Sequence, residues 1–233
     1  MDNIMRIIFF GDSLTWGGYG GNFVTAIAEA MPEHEIINAG QGGNTVINLL
    51  RRVDDDVIAK EPDAVFVMVG GNDSISYSQP ATRPYYKKSM AIPEDGAVTP
   101  AMFVETYREL LTKLHLNHIH TLMGLAPAEY NAEVVRSKQN YNAKAADIAR
   151  SMNIPVLDLQ PHFNPKPEEM VDRPPISLKF IDTIGRRSAN GWDAYEAERE
   201  RNGYTYSFDG LHFTPDSVSR ITDLIVPFLE ENL

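Results

Sequence analysis

The sequence predicts an α/β protein: three layers, with helices on both faces of a parallel five-stranded sheet of strand order 2-1-3-4-5. Two observations carry this expectation. Short apolar runs bounded by turn residues alternate with longer amphipathic stretches along almost the whole 233-residue chain, the pattern of buried parallel strands joined by crossover helices. The first apolar run also passes straight into a glycine-rich turn, Gly11-Asp12-Ser13-Leu14-Thr15-Trp16-Gly17-Gly18-Tyr19-Gly20-Gly21. In open parallel sheets ligands bind beyond the carboxyl ends of the strands, near the switch point beside the first one.

The elements follow in order. Strands are expected at 6–10, 35–38, 64–69, 121–124 and 155–158, each brief and rich in β-branched or large apolar residues. Helices are expected at about 22–31, 45–60, 100–117, 131–152 and 216–231. In the last of these Val218, Ile221, Leu224, Ile225 and Phe228 recur at three- and four-residue spacing and so share a face. Thr214-Pro215-Asp216 supplies its cap and a first-turn proline. Two segments break the alternation, 74–99 and 164–208, and are expected as insertions in a single domain spanning 1–233. The second contains a helix at about 189–202 stopped by Gly203.

Composition narrows the function. The chain is 43% apolar and 23% charged, an ordinary globular balance, and a domain of this length buries enough surface to fold without disulfides or metal. It has no cysteine, which excludes thiol catalysis and cysteine–zinc sites. A net charge of −11 argues against a nucleic-acid partner. No apolar run approaches the roughly 20 residues of a membrane span. The start, MDNIMRIIFFGDS, has a short apolar run broken by Arg6 and no basic lead, unlike a signal peptide. The expectation is a cytoplasmic monomer or homo-oligomer acting on a small molecule, with no metal and no cofactor.

The glycine-rich turn has two candidate jobs: cradling phosphate or presenting Ser13 as a nucleophile. A dinucleotide fingerprint needs glycines at i, i+2 and i+5. Gly18 and Gly20 would require one at Phe23, and Gly40 and Gly42 one at Thr45. No Walker-type GKS or GKT exists either, so only a loose anion loop survives. A nucleophilic serine needs a base, usually histidine, and that histidine needs a carboxylate to fix its tautomer. Of the six histidines only His212 lies in a turn-like stretch, SFDGLHFTP, with an acid three residues earlier, Asp209. Oxyanion donors could come from the ends of the second and third strands, where a glycine-rich turn, Asn38 to Thr45, opens a helix and where Asn72 follows Gly70-Gly71.

These blocks together resemble the SGNH hydrolase superfamily, the GDSL-type lipases and esterases. Its four motifs occur in order: Gly-Asp-Ser-Leu at 11–14, Asn-x-x-x-x-Gly at 38–43, Gly-Gly-Asn-Asp at 70–73 and Asp-Gly-Leu-His at 209–212. The resemblance implies a flavodoxin-like three-layer fold and an acyl-enzyme mechanism. Carried over by position, Ser13 is the nucleophile, His212 the base and Asp209 its orienting partner. The oxyanion donors would be the backbone N–H groups of Ser13 and Gly43 and the side-chain amide of Asn72, while Asp12 braces the loop. The implied substrate is a small short-chain acyl or acetyl ester. Carbohydrate O-acetyl esterase or acyltransferase chemistry and a non-catalytic binding module are the alternatives.

Some residues admit plainer roles. Trp16 either lines the acyl pocket or packs over the glycine loop. His162, after the fifth strand, is a candidate pocket residue, although an ordinary loop position suits it better. His115, His118 and His120 suit a solvated helix end. Trp192, Tyr195, Tyr204 and Tyr206 suit the core of the second insertion more than a sugar platform.

Overall fold

The computed structural model describes residues 4–163, 173–177, 179, 183, 187 and 189–233. Five strands, β1 (Arg6–Gly11), β2 (Glu35–Gly40), β3 (Ala64–Met68), β4 (His120–Leu125) and β5 (Val156–Asp158), form one sheet in the order β2-β1-β3-β4-β5. Every pairing is parallel, as the alternation of strand and helix patterns requires. The helices are α1 (Ser13–Trp16), α2 (Phe23–Ala30), α3 (Val46–Asp56), α4 (Gly71–Ser78), α5 (Arg83–Ser89), α6 (Pro100–Leu116), α7 (Ala132–Ser151), α8 (Gln160–Phe163), α9 (Tyr195–Asn202) and α10 (Pro215–Asn232).

Strand β1 shows why the core has two halves. Ile7 to Phe10 are all fully buried, and successive side chains point to opposite faces. Ile8 and Phe10 join Val65, Val67 and Met123 beneath Leu49 and Val53 of α3, Leu110 and Leu114 of α6 and Tyr141 of α7. Ile7 and Phe9 join Phe66 and Leu122 beneath Phe23 and Ile27 of α2 and Val218, Ile221, Ile225 and Leu229 of α10. Each large aliphatic side chain so covered contributes about 1.5–3 kcal/mol. The expected apolar face of the last helix is the one that docks.

Three departures from the sequence expectation stand out. The 45–60 stretch is α3 followed by a single 3-10 turn, Ile58–Lys60, the break falling at Val57, which leaves helical geometry at φ −125° yet stays buried. The 74–99 segment is largely helical, carrying most of α4 and all of α5. Its buried polar residues satisfy the backbone locally: Ser74 Oγ donates to the Gly71 carbonyl, and Ser76 Oγ donates to the Asp73 carbonyl while accepting the N–H of Val98. In the second insertion α9 starts at Tyr195, later than expected, and ends on Gly203 in the left-handed conformation. Residues 164–172 of that insertion and Met1–Asn3 of the N-terminal segment lie outside the described residues.

Candidate active site

Strand β1 ends on Gly11, and the chain turns at once into the one-turn helix α1. Asp12 caps it, its Oδ1 accepting the Leu14 N–H at 3.0 Å, while its carbonyl accepts the Trp16 N–H at 2.9 Å. Gly17, with φ of 68°, closes the turn by donating to the Ser13 carbonyl. Ser13 is thereby fixed at the carboxyl end of β1. The bracing role expected of Asp12 matches this geometry, and burial raises its carboxyl pKa above the usual carboxylate value, partly offset by the Leu14 N–H and by Lys138.

His212 approaches from the loop before α10. Its Nε2 lies 2.9 Å from Ser13 Oγ, and its Nδ1 lies 2.7 Å from Asp209 Oδ2. Since the carboxylate only accepts, Nδ1 carries the proton and Nε2 presents a lone pair to the serine hydroxyl. Asp209 Oδ1 also accepts the backbone N–H groups of Leu211 and His212, at 2.8 and 2.7 Å. A carboxylate tied on both oxygens cannot rotate, so the ring is held. Burial alone would lower the His212 pKa, but the Asp209 charge, the Asp209 hydrogen bond and the Asp12 charge together outweigh it, and the net shift is upward.

The loop bearing this pair is anchored from below by Glu129, which the sequence reading did not single out. This fully buried carboxylate accepts the N–H groups of Thr205, Tyr206 and Ser207 and the hydroxyls of Thr205 and Ser207, at 2.7 to 3.1 Å for the closer oxygen. Five donors from three consecutive residues replace its lost hydration.

The candidate donors Gly43 and Asn72 line the same cavity as Ser13. Gly43 lies in the left-handed region at φ 78° and borders the cavity above Ser13. Asn72, in the first turn of α4, donates from Nδ2 to the Asn44 carbonyl at 3.0 Å and accepts at Oδ1 from Tyr86 Oη at 2.8 Å. A carbonyl can only accept, so these two contacts fix which end of the amide is the donor. Asp73 ties the two turns together by accepting the Val46 N–H at 3.0 Å. Burial pushes its carboxyl up to about 7 despite that bond. Arg52 serves the other side: it donates to the carbonyls of Gly11 and Ala39 and to Asn44 Oδ1, at 2.8 to 2.9 Å, and pairs with Asp56. One guanidinium thus gathers the ends of β1 and β2 and the turn after β2.

A cavity of about 340 Å³ opens over Ser13, lined among others by Trp16, Tyr19, Asn72, Tyr85, Lys138 and His212. Trp16 stands at the cavity and packs over the glycine loop. Its ring borders the cavity, edge-on to Tyr19 at 5.1 Å, and it leaves no room for a side chain on Gly18. His162 is a correction: it is exposed on α8, outside the cavity, with its carbonyl accepting from Arg220. The reason is topological, because α8 follows the edge strand β5, and β3 and β4 stand between β5 and β1. Tyr204 and Tyr206 are buried, and Trp192 and Tyr195 pack on Phe208, which stacks on His212 at 6.0 Å. These four aromatics do not line the cavity over Ser13.

A serine hydroxyl hydrogen-bonded to a carboxylate-oriented imidazole, with amide donors beside it at the carboxyl edge of a parallel sheet, defines the serine ester hydrolase class. The chain belongs to the GDSL-like lipase/acylhydrolase family, whose model matches residues 9–217, and its SGNH motifs place it among the SGNH-type esterases. It is 27% identical over 178 residues to an acetylxylan esterase of Geobacillus stearothermophilus, covering 68% of this chain and 78% of that protein. The fold is also that of a lipase/acylhydrolase from Enterococcus faecalis, at 20% identity, TM-score 0.65 and coverage of 98% and 96% of the two chains. The acetyl xylan esterase AlAXEase superposes with TM-score 0.63 at 22% identity, over 96% and 98%.

Proposed function

We propose that this single-domain enzyme hydrolyses small short-chain acyl esters through an acyl-enzyme on Ser13. The observation that supports this best is the unbroken relay from Asp209 through His212 to Ser13 Oγ, at 2.7 and 2.9 Å. In this reading His212 removes the Ser13 proton as Oγ attacks the acyl carbonyl. The oxyanion rests on the N–H groups of Ser13 and Gly43 and on Asn72 Nδ2. His212 then hands its proton to the leaving alcohol, and water cleaves the acyl-enzyme by the same route. Every step is carried by these side chains and backbone groups.

Among such esters, O-acetylated carbohydrates are the second reading, favoured by the acetylxylan esterase likeness and by the half-exposed Trp16 at the cavity mouth. A flat aromatic beside an open mouth suits a sugar ring as the alcohol. The test is a panel of p-nitrophenyl esters from acetate to decanoate beside acetylated xylose and glucose, with Ser13→Ala as control. Turnover by the wild type that the variant lacks supports the ester reading, and a preference for the sugar acetates supports the second. Equal rates for both proteins on every substrate would sink both.

Two further outcomes test the assigned roles. Asn72→Ala is expected to lower kcat by about 10²–10³ with little change in KM, since its donor acts on charge that exists only in the transition state. A raised KM with unchanged kcat would assign Asn72 to ground-state binding instead. The pH profile tests His212. The base works when neutral, so kcat/KM should fall tenfold per pH unit below its pKa, and that acid limb should lie above 6.5. An acid limb centred below 6.5 would contradict the Asp209 pairing.

A further inference from the structure

Lys138 is the one cation that lines the catalytic cavity among the described residues. It stands on the inward face of α7, one turn beyond Val134, and is 2% exposed. Its Nζ has no hydrogen-bond partner among the described residues. Asp12, Asp73 and Asp158 surround it and act on it through space, each favouring the ammonium, whereas burial disfavours it. Ile75, Ala128, Val134 and Ile176 give this end buried apolar walls, beside Ser74, whose hydroxyl donates to the Gly71 carbonyl. The mouth is different, since Trp16 there is 41% exposed. An alcohol as large as a sugar requires that open mouth, which leaves the inner end, between α4 and α7, to the acyl group.

We propose that Lys138 is a specificity-determining residue that restricts the acyl group to acetyl or little more. The inference rests on the ester-hydrolase reading and names what that site accepts. Without Lys138 the inner end would welcome an alkyl chain, because each methylene buried on apolar walls improves binding about fourfold. Four added methylenes therefore gain about 250-fold at most. A chain long enough to reach Nζ also strips the last hydration from an ammonium that has no protein acceptor, at a cost of about a thousandfold or more. The penalty exceeds the gain, so the cavity has room for a longer chain and the charge refuses it.

The experiment compares kcat/KM for p-nitrophenyl acetate and hexanoate in the wild type and in Lys138→Met, which removes the charge and shortens the unbranched side chain by one atom. The wild type should prefer acetate, and the variant should raise the hexanoate-to-acetate ratio about a thousandfold, with an absolute gain on hexanoate. A residue serving only as counter-ion to Asp12 and Asp73 would lower both rates together. An unchanged ratio therefore overturns the proposal, as does a wild type that already prefers hexanoate. Should the methionine variant not fold, Lys138→Gln carries the same ratio test with a polar, uncharged group. A wild type inactive on every ester defeats the ester reading itself, whereas an active wild type with an unmoved ratio defeats only the role of Lys138.

Discussion

Ser13→Ala is expected to lower kcat/KM for p-nitrophenyl acetate by about 10⁴-fold or more, while the thermal midpoint moves little. The size follows from what is lost. Removing Oγ takes away the one group bonded to His212 Nε2 among the described residues, and no acyl-enzyme can form. What remains is the oxyanion site and substrate binding, which by themselves leave a small residual acceleration over water. The stability should hold because Ser13 contributes nothing through its side chain to the turn that carries it. Asp12 supplies the cap, and the backbone bonds of Trp16 and Gly17 close the turn. Two measurements check this: steady-state kinetics on the acetate ester, and a melting curve beside the wild type. A variant that melts as the wild type does yet keeps more than a tenth of its activity would remove Ser13 from the chemistry.

How much of this could be foreseen depends on how local each cause is. Strand order was legible because every strand is a short apolar run and every crossover contains a recognisable helix. Ser13, Asn72, Asp209 and His212 were legible because each sits in a compact motif whose residues brace one another, as Asp209 does for His212 three positions on. The supports were not. Glu129 lies in LAPAEYN, which looks like an exposed loop, and its partners are 76 to 78 residues away. Tyr86 and Arg52 reach the site from helices whose patterns show no polar duty. The apolar spacing of α7, through Val134, Tyr141, Ala145 and Ile148, puts position 138 on the inward face, yet nothing in a single sequence marks a lysine as buried. His162 failed for the opposite reason: a histidine after a strand end looks like a site residue until strand order puts that end at the sheet's edge.

Asp209→Asn should lower kcat by about 10⁴, nearly as much as losing the nucleophile, although only one oxygen is exchanged for an amide nitrogen. The asymmetry of the carboxylate's contacts explains why. Oδ1 accepts two backbone N–H groups, and an asparagine carbonyl can keep both. That obligation forces the NH₂ to the position of Oδ2, facing His212 Nδ1. A donor there demands an acceptor, so the imidazole must move its proton to Nε2, the atom that should receive the proton of Ser13. Both residues are buried, so water cannot relieve the mismatch cheaply. The loop itself should survive, because its two backbone bonds and the Glu129 anchor are untouched. Asp209→Ala supplies the contrast. It orphans the N–H groups of Leu211 and His212, and should cost about 1–3 kcal/mol of stability for each donor left buried. The predicted signature is therefore an inactive asparagine variant that melts close to the wild type and an inactive alanine variant that melts lower. Activity in the asparagine variant within tenfold of wild type would mean that the His212 tautomer is set by something other than Asp209.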